Sequence, residues 1–166
     1  APVGVKKWTD IVDIACGGYD NHILGLQSDG KLIFSNGYGA ARKDVIAVGA
    51  GGGHTSYLTA DGTAVLPNGK TVTDIDQLFV GGNITVAIQK NGTVICQGTL
   101  LNDEDKPETL DNWDALKGKD IAAFDASVRH AVLLKTDGTA AAYGDNLGGR
   151  CNVSKWKDIR VPNDRD

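Results

Sequence analysis

Histidine is the residue type of this chain best suited to bind a metal or transfer a proton near neutral pH, and its three copies recur at one place in a repeat. Imidazoles at equivalent points of neighbouring repeats could converge on an axis and bind zinc or nickel. The recurrence itself favours a structural role, in which each histidine hydrogen-bonds backbone within or between repeats. The three are His22, His54 and His130, each upstream of one of the turns Asp29-Gly30, Asp61-Gly62 and Asp137-Gly138.

The other residues that could bind a metal or catalyse a reaction form weaker candidate sites. The acidic run Asp103-Glu104-Asp105 could hold calcium, but it lacks the alternating ligands and the turn glycine of a calcium loop, so a solvated acidic loop is predicted. No serine lies in a Gly-x-Ser-x-Gly elbow, and no phosphate-binding loop is present. We therefore expect no enzymatic activity and no cofactor.

A repeated unit must position these residues. Each unit opens with an acidic-aliphatic step, runs through an apolar strand to small residues, enters a second strand, turns at Asp-Gly or Asn-Gly, and leaves along a third strand. The opening steps are Asp10-Ile11, Asp44-Val45, Asp74-Ile75 and Asp120-Ile121, with a fifth at Asp158-Ile159. The small residues are Gly17-Gly18, Gly51-Gly52, Gly81-Gly82 and Asp125-Ala126.

The unit predicts a β-propeller. Asp-Gly and Asn-Gly turns match the twist of tight hairpins, and units this short must stack on their neighbours to bury both faces of a sheet. No helical period is found, so we expect an all-β propeller of about four short antiparallel blades in a small, open or partial ring. The predicted organisation is a single repeat domain over 1–166, with units at about 8–42, 43–72, 73–113 and 114–156 and a closing strand at 157–162.

The repeat resembles that of the regulator of chromosome condensation family. This resemblance implies propellers, commonly of seven blades, that serve as recognition surfaces for partners as different as a small GTPase, nucleosomes and secreted β-lactamases. The chain departs from the family in having four units, in short blades like those of the compact bacterial version, and in Arg150, where the motif usually continues toward glutamine. The matching residues are Trp8-Thr9-Asp10-Ile11, Trp156-Lys157-Asp158-Ile159, His130 with Asp137-Gly138-Thr139, and Gly144-Asp145-Asn146-Leu147-Gly148.

Composition narrows the range of partners. A formal net charge of −4 and the lack of a basic stripe argue against nucleic-acid binding. No apolar run approaches the length needed for membrane insertion. The start at Ala1-Pro2, without methionine, leads us to expect a processed or excised chain, and an extracellular or surface-exposed location, as in secreted bacterial or phage proteins, is predicted. An odd cysteine count weakens any disulfide framework, so Cys16, Cys96 and Cys151 are predicted to be small buried hydrophobes.

The functional hypothesis is recognition through residues that do not follow the repeat. Loops held by a rigid scaffold lose little entropy on binding, and aromatic residues and arginine are over-represented among binding anchors. Trp113 lies in an irregular segment between the third and fourth units, where it is expected either to cap the core or to contact a partner. The candidate contact residues are Tyr38, Arg42, Leu101, Trp113, Asn146 and Arg150.

The resemblance to the regulator of chromosome condensation family favours a protein partner. The first alternative is a carbohydrate-binding or receptor-binding adhesin module, as in a lectin, phage tail or toxin, although the sparse aromatics do not form the repeated platform that sugars need. The second alternative is a metal-binding protein that uses the histidines near the axis. A role as part of a larger ring or of a homo-oligomer is also left open.

Overall fold

Short antiparallel sheets form the whole of the described chain. The computed structural model describes residues 5–18, 23–35, 42–102, 104–110, 113–117 and 120–161. Helix in these ranges is limited to single 3-10 turns at Val5–Lys7, Asp114–Leu116 and Leu147–Gly149.

Four of the sheets are the blades of a propeller, and each runs in chain order from an inner to an outer strand. Blade 1 contains β1 (Ile11–Cys16), β2 (Ile23–Gln27) and β3 (Leu32–Phe34). Blade 2 contains β4 (Val45–Ala50), β5 (Thr55–Thr59), β6 (Ala64–Val65) and β7 (Thr71–Val72). Blade 3 contains β8 (Ile75–Gly81), β9 (Ile84–Gln89) and β10 (Val94–Gly98). A hairpin of β11 (Leu100–Leu101) and β12 (Pro107–Glu108) precedes blade 4, which contains β13 (Ile121–Ala126), β14 (His130–Lys135) and β15 (Ala140–Gly144).

At four of the five opening steps, the aspartate that opens the unit has a conformation that sets the direction of the next segment. Asp10, Asp44, Asp74 and Asp158 have φ values of 58, 67, 59 and 57°, a left-handed conformation that aspartate tolerates better than most residues. The next amide then reaches back to the turn glycine of the preceding blade, as in the 2.9 Å bond from Val45 N to Gly30 O. The acidic-aliphatic step is therefore the corner between one blade and the next.

The inner strands of successive blades lie against one another. β1 packs on β4, β4 on β8, and β8 on β13, whereas the described strands β1 and β13 make no comparable contact. The four blades therefore form an open arc around the line of inner strands, and the expectation of an all-β propeller with an open ring is confirmed.

The core is divided among the three junctions between blades. Leu24, Leu26 and Leu32 of blade 1 are at most 4% exposed and cluster with Val45 of blade 2. A second cluster joins blades 2 and 3 around Leu58. The largest cluster joins blades 3 and 4 and also holds side chains of the irregular segment between them. Each junction is thus a separate aliphatic layer, because no blade is thick enough to contain a core of its own.

Glycine is required where the inner strands end, because neighbouring backbones come together there. A Cβ on Gly81 would lie 2.5 Å from the backbone nitrogen of Ala126 in blade 4, and a Cβ on Gly51 would overlap the carbonyl oxygen of Gly82 in blade 3. The N–H of Gly52 also donates to that carbonyl. The recurring glycine pairs therefore mark the contact of one blade with the next.

Two details differ from the sequence prediction. Gly51 N donates to His54 O at 2.9 Å and Ser127 N donates to His130 O at 2.8 Å, so Ser127-Val128, not Asp125-Ala126, occupies the position of the glycine pairs in blade 4. The predicted closing strand at 157–162 is also not formed in its described part, because residues 157–161 contain no strand. Ile159 N instead donates to Gly138 O at 3.1 Å, the same corner contact that Val45 N makes with Gly30 O.

Replacement of Gly81 by alanine should destabilise the junction between blades 3 and 4. The new methyl group would meet backbone that cannot move aside, an overpacking that costs roughly 1–3 kcal/mol. Thermal or urea unfolding measures this loss. Gly18→Ala is the matched control, because its Cβ would lie 3.6 Å from Gly52 O, an ordinary contact, and it should change stability by roughly 0.5 kcal/mol or less. Equal effects of the two substitutions would contradict the close approach.

Candidate functional site

A polar cleft beside blade 4 gathers residues that do not follow the repeat. It has a volume of about 740 Å³, and a second cavity of about 570 Å³ shares Asp145 with it. The lining residues of the cleft are Asp105, Arg129, Asp145, Asn146, Leu147 and Arg150.

Three separate segments meet at this cleft. The first strand of the β11–β12 hairpin joins the turn before β14 through a 2.8 Å bond from Leu101 N to Val128 O. The Arg129 guanidinium donates to Asn102 O at 3.1 Å, and the backbone of Arg129 accepts a 2.9 Å bond from Asp145 N. The inserted hairpin, the β13–β14 turn and the loop after β15 are thus tied to one another through backbone atoms.

The Gly-Asp-Asn motif organises the loop after β15. The buried carboxylate of Asp145, 7% exposed, accepts a 2.7 Å bond from Leu147 N and a 3.3 Å bond from the Arg150 guanidinium. Asn146 accepts a 2.8 Å bond from Cys151 N and donates to the Asn152 side chain at 3.1 Å. These bonds hold the loop in one conformation, with the Leu147 side chain 71% exposed at its tip.

Two ion pairs give the cleft its charge pattern. Arg129 pairs with Asp105, whose side chain is 71% exposed, and Arg150 pairs with the buried Asp145 at 3.3 Å. Both arginine side chains stay partly exposed, at 36% and 45%, and a guanidinium has more donors than these ion pairs use. Exposed ion pairs contribute only about 0–1 kcal/mol, so a ligand carboxylate could replace Asp105 at little cost.

The second cavity contains two ionisable groups with shifted titration. The phenol of Tyr143 donates to a Glu108 carboxylate oxygen at 2.7 Å, and this bond, together with partial burial, raises the pKa of Tyr143. Burial and the nearby charge of Asp145 raise the pKa of the Cys151 thiol, although Arg150 opposes the shift. Both groups therefore carry their protons at neutral pH.

The structure brings together three of the six predicted contact residues. Asn146 and Arg150 line the cleft, and Leu101 anchors the hairpin beside it. Arg42 lies elsewhere, with its guanidinium 5.3 Å from the ring centroid of Tyr57. Tyr38 lies outside the described residues.

Trp113 belongs to the core. It is 8% exposed, and its ring centroid lies 5.7 Å from that of Tyr143. Of the two roles expected for it, the structure shows the capping of the junction between blades 3 and 4. Trp113 also lines a cavity of about 260 Å³, and its assignment as a partner contact stays a prediction.

Sequence reasoning missed several residues of the cleft. Arg129 and Asp105 pair across segments that are far apart in the chain, and no local sequence pattern predicts this contact. Leu147 had a usable signal, since it is an apolar residue enclosed by the polar motif Gly144-Asp145-Asn146 and Gly148. Such a residue in a turn has no core to enter and is expected to face solvent.

The described histidines have structural surroundings. Nδ1 of His130 lies 2.8 Å from Ser127 Oγ, and the same hydroxyl accepts bonds from the backbone N–H groups of Arg129 and His130. The imidazole of His54 lies against Gly51, the counterpart of Ser127. Within the described ranges, no three His, Cys, Asp or Glu side chains are grouped closely enough to hold a metal ion. His22 lies outside those ranges.

The cysteines are not uniformly buried. All three are free thiols, and Cys16 is exposed whereas Cys96 and Cys151 are intermediate. The prediction of three small buried hydrophobes is therefore wrong for Cys16, which lies on the outer face of the first blade. The 3-10 turns of the described chain are too short to cross a membrane as helices.

Comparison with known proteins identifies the fold. No family model matches the chain, and no curated protein sequence matches it. The ectodomain of the Physcomitrella patens receptor kinase CR4 aligns with a TM-score of 0.60 and 16% identity over 86% of this chain and 45% of its own. Human WBSCR16 aligns with a TM-score of 0.56 and 16% identity, covering 90% of this chain and 51% of its own. Prp20p of Saccharomyces cerevisiae, described with its binding properties to Gsp1p and histones, aligns with a TM-score of 0.55 and 17% identity over 84% and 47%. The chain thus has a β-propeller fold and spans about half the length of these propellers.

The titration of Tyr143 tests the geometry of the second cavity. Its neutral phenol is stabilised by Glu108, so this contribution to stability is complete below the ordinary tyrosine pKa of about 10 and is lost as the pH rises through the raised pKa. The difference in tyrosinate absorbance between the wild type and Tyr143→Phe should therefore titrate above pH 10, and Glu108→Gln should lower its midpoint. If Tyr143 titrates at the ordinary tyrosine pKa in both the wild type and Glu108→Gln, the bond between Tyr143 and Glu108 is not formed.

Proposed function

We propose that this protein is a non-enzymatic recognition module that binds a protein partner through the cleft beside blade 4. The observation that carries the proposal is the exposed Leu147 side chain, 71% accessible, held in a cleft lined also by two arginines. An apolar side chain fixed at the tip of a hydrogen-bonded loop loses little entropy when a partner covers it. Arginines beside it supply directional donors for carboxylates or carbonyl groups.

A protein partner fits this lining better than a sugar. Sugar sites usually offer an aromatic platform, and the described lining of the cleft combines one leucine with arginine, aspartate and asparagine side chains. The Prp20p structure supports the general idea, since that propeller is described with binding to Gsp1p and histones. The chain's net charge of −4 makes nucleic acid a poor alternative.

We further infer kinship with the regulator of chromosome condensation repeats. Its support is the Gly-Asp-Asn motif, whose aspartate and asparagine side chains shape the recognition loop. The extracellular or surface-exposed location, and a role in a secreted bacterial or phage adhesin, stay predictions of the sequence. Elemental analysis of the purified protein tests the alternative of metal binding through histidines, which a stoichiometric metal would favour.

Peptides selected from a random library on the immobilised protein test the cleft. Leu147→Asp and Arg150→Ala should each weaken binding of the selected peptides by about tenfold or more, the loss expected for a residue worth over 1.4 kcal/mol at an interface. Fluorescence anisotropy measures the change. Lys90→Ala is the matched control, because it removes an exposed cation at the Asn91-Gly92 turn of blade 3, and it should leave binding unchanged.

The outcome of this selection decides between surfaces and ligand classes. Peptide binding that survives both cleft substitutions and is lost in Arg42→Ala would move the site to the Arg42–Tyr57 pair. A glycan array run in parallel tests the carbohydrate alternative, and sugar binding abolished by Leu147→Asp would contradict the proposal of a protein partner.

A further inference from the structure

Blade 1 exposes a face that blades 2, 3 and 4 cover at least in part. At the middle and end of each inner strand, two residues point toward the preceding blade, as shown by the packing of Val48 and Ala50 against the leucine cluster of blade 1. In blade 1 this place is taken by Ile14, which is 63% exposed, and by Cys16, which is also exposed. The corresponding residues are Val48 and Ala50 in blade 2, Leu78 and Val80 in blade 3, and Phe124 and Ala126 in blade 4.

Blade 4 covers its opposite face only in part. Its second strand carries Val132 and Leu134 at the register of Leu24 and Leu26 in blade 1, since Asp125 pairs with Val132 as Ala15 pairs with Leu24. Leu24 and Leu26 are 0% and 4% exposed, whereas Val132 and Leu134 are only half-buried. Apolar side chains at these two positions are typical of a junction between blades and not of a sheet face that contacts solvent.

The two open faces are the complementary halves of an interface that occurs three times within the chain. We propose that the blade-1 face of one copy of this chain packs on the blade-4 face of a second copy, so that two arcs of four blades close into one ring. Such a head-to-tail contact closes when the rotation between copies completes a circle, and eight blades lie within the range of known propellers.

The distance between neighbouring inner strands at the propeller axis is compatible with this arrangement. Ser127 and Val128 replace the glycine pair in blade 4, so the junction between two copies must leave room for their side chains. The junction between blades 1 and 2 is wide enough for this, because a Cβ on Gly18 would lie 3.6 Å from Gly52 O. The Asp125 carboxylate accepts a 2.8 Å bond from its neighbour Ala126 N and leans toward Gly81 of blade 3.

Molar mass in solution is the first test. Light scattering over a range of concentrations should give twice the 17.4 kDa of one chain, and Ile14→Asp should return the mass to that of one chain. Ile46→Asp is the matched control: Ile46 is 57% exposed although blade 2 has neighbours on both sides, so its position does not face another blade. A wild-type chain that stays monomeric, or a dimer that Ile14→Asp leaves intact, would overturn the proposal; the first result would leave a further repeat of the same kind as the occupant of these faces.

Mixing variants distinguishes head-to-tail from head-to-head contact. Leu134→Asp should also yield monomers, and an equal mixture of Ile14→Asp and Leu134→Asp should form dimers, because one intact junction remains between an unaltered blade-1 face and an unaltered blade-4 face. Pairing of two blade-1 faces would instead leave Leu134→Asp dimeric, which would contradict the assignment. Circular dichroism establishes that both variants fold.

A disulfide trap gives an answer that does not depend on core substitutions. A Cβ on Gly49 would lie 2.5 Å from Val80 Cβ across the junction of blades 2 and 3, and the counterparts of these residues are Asp125 and Cys16. A junction slightly wider than this one brings two cysteines into the Cβ separation of a disulfide, about 3.5–4.5 Å. Asp125→Cys should therefore form a covalent dimer under mild oxidation, lost when Cys16→Ser is added. Asp76→Cys, an exposed aspartate of β8 at the position of Ile46, is the control, and equal cross-linking of the two would contradict the proposed contact.

Discussion

The close approach of inner strands at the axis is the constraint on which the rest of this structure depends. Neighbouring blades come together where Gly51-Gly52 and Gly81-Gly82 lie, and backbone hydrogen bonds cross from one blade to the next at these points. A Cβ at Gly51 or Gly81 would meet backbone atoms of the following blade. The spacing of the blades, and with it the aliphatic layers between them, is therefore set by residues that have no side chain.

This construction separates scaffold from function. The repeated residues are used at the corners and junctions: aspartates in left-handed conformation, glycine pairs, and the histidines beside Gly51 and Ser127. The cleft beside blade 4 arises where the repeat is interrupted, because the inserted β11–β12 hairpin meets a turn and a loop of the following blade. The proposed recognition requires a loop held in place at the edge of the stack, and the Asp145 and Asn146 side chains hold the loop after β15.

Much of the fold could be predicted because it is local and periodic. The Asp-Gly and Asn-Gly turns, the glycine pairs and the acidic-aliphatic steps each reflect a backbone requirement that a short stretch of sequence displays. The cleft could be predicted only in part. Asn146 belongs to a recognisable motif and Arg150 follows it closely, whereas the pairing of Arg129 with Asp105 joins segments separated by an irregular insertion. The burial of Trp113 and the exposure of Cys16 depend on which blade faces exist to cover them, and this is a property of the assembled stack.

Amide hydrogen exchange at single-residue resolution tests the blade junctions most directly. The N–H groups of Gly18 and Gly52 lie in connections that a lone blade would leave to solvent, but each donates to a carbonyl of the next blade, Gly18 to Gly51 and Gly52 to Gly82. We predict that both amides exchange as slowly as those in the centres of β5 and β9, because they open only when blades separate. Exchange at the rate of an unprotected turn amide would contradict the stacked arrangement of blades.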